Sequence, residues 1–418
     1  MPVALILVVR FRPPVKKIFT LALGVVTSIG GFVEAGSIST AVQAGAEFGF
    51  SLLWAIGAAT LILAMLAEMS GRMASVSTRS MAAAVRERFG VHFQIVPLGA
   101  ELIIDALLLT AELGGAAIAM KLLTGVAFPW WVLPVGAAVW LVLWLGNFAV
   151  IEDGVGLLGI VTLVFVVAAW RLHPGTSSIA GGLVPRLPNH GLTRYLFLAV
   201  SIVGATISPY LLNFYGSGAI EEKWTERDLW INRTTAFLGM GFGSVVSMGA
   251  LVTAAIVFGP GHVRVESFEQ AAPMFAPVFG HWAVTLFAMA LGVGCFGAAV
   301  EITLNAGYIL AQSFGWSWGA EKPRRSAGRF SVAFSLFLVL AAGIAVGGFD
   351  PLQMTMVSVA LTVVITPLVV LPLLVLMNSR DYVGRHTSGP IGNGFLAALS
   401  IVCAIMALIV IPLQIFGG

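Results

Sequence analysis

The chain has 418 residues, of which 59% are hydrophobic and only 10% charged, with a formal net charge of +3. Soluble globular domains are about 25% charged, so this composition excludes a water-exposed surface of ordinary kind. The small positive excess gives no reason to invoke nucleic acid.

Stretches apolar enough to cross a hydrocarbon core about 30 Å thick, roughly 20 residues as helix, recur along the whole length. The eleven predicted spans are 18 to 46, 50 to 70, 95 to 124, 129 to 150, 154 to 171, 194 to 219, 232 to 258, 283 to 313, 329 to 348, 352 to 377 and 391 to 416. Residues 1–17 read as a cytoplasmic tail and 18–418 as a single transmembrane domain. The segment Met1 to Val9 is apolar but short, and Arg10, Arg12 and Pro13-Pro14 follow it without a small-residue cleavage site, so it is not read as a signal peptide.

Lys and Arg divide unevenly between the loops. Seventeen fall on the side of the N-terminal tail, among them Arg72, Arg79, Lys223, Lys322 and Arg380, and five on the other: Lys121, Arg171, Arg186, Arg194 and Arg264. The positive-inside rule then predicts a plasma-membrane protein with its N-terminus inside and its C-terminus outside. Cys295 and Cys403 fall inside apolar spans and read as small buried hydrophobes, with no disulfide or metal cluster implied. All six histidines lie in loops or at span ends, and no Ser-His pairing is evident, which argues against an intramembrane enzyme. No cofactor is implied, and nothing sets an oligomeric state.

Two spans carry helix-breaking clusters near their middles. The first reads Gly30-Gly31-Phe32-Val33-Glu34-Ala35-Gly36-Ser37, and the sixth reads Gly204-Ala205-Thr206-Ile207-Ser208-Pro209-Tyr210. Gly costs about 1 kcal/mol in a helix interior and Pro about 3. In lipid such interruptions survive only where protein or a water-filled cavity satisfies the freed backbone groups. Two of them five spans apart fit inverted repeats of spans one to five and six to ten, with span eleven appended, around a mid-membrane site lined by Glu34.

The stretch TSIGGFVEAGSISTAVQAGAEFGF from Thr27 to Phe50, with AELGGAAIAMKLLTG in the third span, VGATISPYLLNFY in the sixth, LNAGYIL in the eighth and GGFDPLQM in the tenth, resembles the Nramp family of divalent-metal transporters over nearly the whole chain. The resemblance implies an all-α, LeuT-type fold with broken first and sixth helices, a divalent cation as substrate and the lipid bilayer as surroundings. It also implies metal contacts from Glu34, Ser37 and Ser208, and from the carbonyls of Gly31 and Ala205.

The chain departs from the family at that site. The first-helix motif Asp-Pro-Gly-Asn is here Glu34-Ala35-Gly36-Ser37, the sixth-helix Met-Pro-His is Ser208-Pro209-Tyr210, and a metal-binding Gln of the tenth helix falls on Val359. A thioether favours transition metals, whereas hard ions prefer carboxylate, carbonyl and water. Loss of the Met, Asn and Gln therefore predicts a roomy site for a partly hydrated ion such as Mg²⁺, with Mn²⁺ also accepted, a pattern similar to the Nramp-related magnesium transporters.

Glu112 matches a family Glu associated with proton movement, but the Asp three residues before it is here Leu109, and Tyr210 replaces the motif His. The expectation is weak or absent proton coupling. Glu301, near the middle of the eighth span, is a candidate second carboxylate at the site or a locally paired group away from it. Glu101 and Asp105 read as vestibule or helix-pairing groups, and Glu68 and Arg72 as solvated or interfacial. The alternatives are an organic-cation or amino-acid carrier on the same fold, with Glu34 pairing an ammonium group, and a transport-inactive sensor.

Overall fold

The computed structural model describes residues 34–416 apart from 262 and 324, so the tail, the first half of the first span and the Gly31 carbonyl lie outside the described residues. The described residues form eighteen α-helices joined by short 3₁₀ turns, with no strand among them.

The second half of the first span is α1 (Ala35–Phe48), followed by α2 (Leu53–Ser77), α3 (Met81–Phe89), α4 (Val91–Thr124) and α5 (Pro129–Leu145). The fifth span is α6 (Phe148–Gly159), a 3₁₀ turn and α7 (Val164–Arg171), after which the chain bends by 119° into α8 (Thr176–Gly182). The sixth span is two helices, α9 (Leu192–Thr206) and α10 (Pro209–Glu221), and the seventh is α11 (Leu229–Val257). Two short helices, α12 (Phe268–Ala271) and α13 (Ala276–Phe279), precede α14 (Ala283–Phe314), α15 (Gly328–Val346), α16 (Pro351–Met377), α17 (Arg380–Val383) and α18 (Pro390–Phe416).

The ends of these helices follow from their residues. Proline opens α5, α10, α16 and α18, where its missing N–H is not needed. The Asp350 side chain accepts from Gln353 N at 2.9 Å to cap α16. Gly125 and Gly315 close α4 and α14 at φ 76° and 71°, left-handed values that cost other residues energy. The fourth predicted span is shorter than expected because the helix stops at Gly146, and the fifth starts earlier, at Phe148. The second extends to Ser77, beyond its apolar run, because small residues keep it packed inside the protein.

The packing has an internal symmetry. α4 and α14, the third and eighth spans, make the most extensive contact of the molecule, while α1 packs on α11 as α10 packs on α2. Those pairs exchange when spans one to five are laid on spans six to ten. Among the described residues, eight helical stretches are long and apolar enough to cross a membrane, α9 with α10 counting as one. Outward-facing Leu133, Leu145, Val339, Leu340, Phe395 and Leu408 are exposed as a lipid-facing surface requires.

One sequence expectation changes here. Glu68 and Arg72 are not solvated: they pair at 3.1 Å, and Arg72 also donates to His386 O at 2.7 Å and Ser388 Oγ at 3.0 Å, tying α2 to the segment before α18. Cys295 is a free, fully buried cysteine.

Candidate functional site

Glu34 is the first described residue and sits in extended backbone (φ −112°, ψ 175°) at the head of α1. Its N–H donates to Ser37 Oγ at 3.0 Å, and the Ser37 hydroxyl donates back to Glu34 O at 3.0 Å. The helix start is thus fastened by the same residue the motif offers as a ligand, and Ser37 turns its hydroxyl to the backbone. One oxygen of the fully buried Glu34 carboxylate, Oε2, accepts from Tyr210 OH at 2.9 Å. The other, Oε1, has no hydrogen-bond partner among the described residues.

The opposite wall is the interruption between α9 and α10. In a continuous helix Ala205 O would accept from the N–H at position 209, and Pro209 has none. Ile207 (φ −99°, ψ 67°) and Ser208 (φ −83°, ψ 131°) leave helical geometry, and the Ser208 hydroxyl donates to Gly204 O at 3.2 Å. A Cβ at Gly36 would lie 3.0 Å from Glu34 Oε1, 2.9 Å from Val359 Cγ1 and 3.5 Å from Ala205 Cβ. These atoms therefore converge on one glycine face. Gly204 is equally necessary, since a Cβ there would collide with the Val359 carbonyl.

Two further carboxylates face this region. Glu112 of α4 accepts the Ala35 N–H at 3.2 and 3.1 Å through its two oxygens, placing a negative group at the N-terminus of α1, where unpaired amides carry partial positive charge. Glu301 of α14 is buried, and its charge is within interaction range of Glu34 and Tyr210. The structure thus brings Glu34, Ser37, Ala205, Tyr210 and Glu112 together around the break, with Ser208 in the interruption itself and Glu301 buried on α14.

A family model for natural resistance-associated macrophage protein-like sequences matches residues 24–412. The chain belongs to the Nramp family. It is 29% identical over 388 residues to a divalent metal cation transporter, MntH, of Deinococcus radiodurans, covering 87% of this chain and 83% of that one. Among solved structures it resembles a manganese transporter of Eremococcus coleocola, with a TM-score of 0.81 at 20% identity over 98% of this chain and 90% of that one. A nucleobase-cation-symport-1 transporter shares the fold at a TM-score of 0.63 and 14% identity, covering 93% and 89% of the two chains. The fold of this Nramp protein is therefore LeuT-type, with inverted five-span repeats, and its relatives are named as transporters and not as enzymes.

Sequence reasoning did not foresee the reciprocal Glu34–Ser37 cap or the Glu112 contact with the head of α1. It also missed Arg194 of α9, which grips Glu47 of α1 through both carboxylate oxygens at 2.7–3.2 Å and Gln43 at 2.9 Å. Glu47 and Arg194 stand at the ends of their predicted spans, and opposite charges there were the available signal.

Proposed function

We propose that this Nramp protein is a secondary transporter that moves a divalent metal cation across the plasma membrane by alternating access, with the N-terminus inside and the C-terminus outside. The observation that carries the reading is Glu34 Oε1: a carboxylate oxygen, wholly buried and without a hydrogen-bond partner among the described residues, beside an interrupted helix. A buried ionised carboxylate is costly unless a cation or donors offset it. Such a group at membrane depth marks an ion path by default.

The donor set favours a hard, partly hydrated ion such as Mg²⁺, with Mn²⁺ as a second substrate. Glu34 supplies charge, the Ala205 carbonyl and the Gly31 carbonyl supply neutral oxygen, and Ser208 stands where a thioether would select softer metals. Ser37 Oγ both accepts from and donates to the Glu34 backbone, Ser208 donates its proton to Gly204 O and keeps its lone pairs for an ion, and Val359 contributes only an aliphatic side chain, so water must complete the shell. Mg²⁺ characteristically retains several waters on one or two carboxylates. Glu301 acts as a second, more distant charge for the ion.

Proton coupling is weak or absent in this reading. Leu109 interrupts the third span between Glu112 and the cytoplasm, and Tyr210 serves to hold Glu34. The test is flux into proteoliposomes of Mg²⁺, Mn²⁺, Ca²⁺ and a small amine series. Saturable Mg²⁺ uptake supports the reading; amine uptake without metal uptake, or no uptake at all, rejects it.

A further inference from the structure

Below the helix break, α4, α10 and α14 bring together four polar residues that the Glu34 site does not use: Glu101, Asp105, Asn213 and Asn305. Asn213 Nδ2 donates to both oxygens of Glu101, at 2.8 and 2.9 Å. Asn305 Nδ2 donates to Glu101 Oε1 at 3.2 Å and to Asp105 Oδ2 at 3.1 Å. All four residues are buried. Yet three oxygens of the cluster, Asp105 Oδ1, Asn213 Oδ1 and Asn305 Oδ1, have no hydrogen-bond partner among the described residues.

A cluster that served only to pair helices would satisfy its buried oxygens, because an unmet buried acceptor is costly. Here the surplus is entirely of acceptors: two carboxylates and two amides against two amide NH₂ groups. One of those NH₂ groups, that of Asn305, lies between the two carboxylates and touches both. That is the position a cation would take. Asn side chains can turn over to present oxygen in place of nitrogen, and each unpartnered amide oxygen belongs to the same amide as an NH₂ that touches a carboxylate.

The placement along the helices is ordered. Asp105 precedes Glu112 by seven residues, two turns of α4, or roughly 10 Å at 1.5 Å per residue. Asn305 lies one turn beyond Glu301 on α14, and Asn213 one turn beyond Tyr210 on α10. Each of three helices thus carries one polar residue at the break and another a step farther along. Asp105 is within electrostatic range of Glu34, and a crevice lined by Met81, Val85, Gln94 and Leu98 reaches Glu101 and Asn213 from the side of the loop between spans two and three.

We infer that Glu101, Asp105, Asn213 and Asn305 form a second divalent-cation site, a station between the Glu34 site and the cytoplasm. Its donors are all oxygen, as at the first, but carry more charge: two carboxylates and two amide oxygens, suited to Mg²⁺, Mn²⁺ or Ca²⁺ with water completing the shell. A divalent ion neutralises the two carboxylates and gives the orphaned oxygens a partner. The inference rests on the reading of the chain as a divalent-cation carrier.

The test counts Mn²⁺ bound to the purified full-length protein, from the loss of the free-ion paramagnetic resonance signal, alongside flux. The unmodified protein is expected to hold two Mn²⁺ per chain. Glu34→Gln should keep one, and the double variant Glu101→Gln/Asp105→Asn should keep one, with the lost site weakened at least tenfold. Asn305→Asp adds a third carboxylate and should tighten the second site at least fivefold, which serves if the double variant does not fold. One ion in the unmodified protein that vanishes in Glu34→Gln, two ions still bound by the double variant, or unchanged affinity in Asn305→Asp each overturns the second site while leaving the carrier reading intact. No binding and no flux in the unmodified protein overturns both.

Discussion

The helix break and the cluster beneath it hold cation-attracting oxygens by opposite means. At the break, one unpartnered carboxylate oxygen lies beside the side chains of Val359 and Ala205, and both serine hydroxyls give their protons to backbone carbonyls. In the cluster, side chains alone supply the oxygens, and more of them than the available N–H groups can satisfy. The difference teaches that affinity and passage are separated along the path: a donor-poor site leaves water on an ion and releases it readily, whereas a donor-rich one gathers it.

The largest expected effect breaks the first half of that contrast. Glu34→Gln removes the principal charged ligand proposed at the break, and loss of a buried charge partner costs about 3–5 kcal/mol, so saturable metal flux should fall by roughly 100-fold or more. Flux within a few-fold of the unmodified protein would show that Glu34 is not the principal ligand.

Next comes the close approach that keeps the break narrow. Gly204→Ala drives a methyl group into the Val359 carbonyl, and overpacking of this kind costs about 1–3 kcal/mol. A lowered thermal midpoint in detergent is the expected reading, and an unchanged midpoint means that α9 and α16 are not pressed together as described.

Ser208→Met sharpens the contrast by adding a soft donor at the break. Preference for Mn²⁺ over Mg²⁺, measured by competition for uptake, should rise about tenfold, near 1.4 kcal/mol. If the ratio stays fixed, ligand softness is not what sets selectivity here.

A smaller effect belongs to the end of the bundle proposed to face outside. Arg194→Gln removes the bidentate grip on Glu47 that joins α9 to α1. A partly exposed pair of this kind is worth ~1 kcal/mol, so external labelling of a cysteine placed at the break should speed up about fivefold, and no change would deny Arg194 a part in closing that side. The smallest signal is the expected absence of one. Internal pH should not track metal uptake at fixed membrane potential, and acidification that scales with flux and disappears in Glu112→Gln would establish a proton route.

Most of the architecture was legible because membrane helices announce themselves as long apolar runs. The second halves of both interruptions were legible too, since Gly and Pro beside Glu34 and Ser208 have few other uses at that depth. What escaped were features that need three dimensions. α3 is a nine-residue helix with Arg86, Glu87 and Arg88, too charged and short to stand out from a loop. Arg72 was read as solvated or interfacial because its acceptors, His386 O and Ser388 Oγ, are more than 300 residues away in the chain. Asn213 and Asn305 drew no attention because amides carry no charge. The spacings Glu101 to Asp105, Tyr210 to Asn213 and Glu301 to Asn305 held the clue, each a single helical turn.

Pro209 has an evolutionary consequence. Side-chain ligands drift by single substitutions, and the resemblance implies that the family's Asn, Met and Gln have all been replaced here. The oxygen that Pro209 leaves without its helical donor belongs to the backbone of Ala205, and no substitution at position 205 can delete it. A lineage can therefore rewrite which ion it prefers while the capacity to face some ion at mid-membrane is inherited intact, for as long as one proline remains.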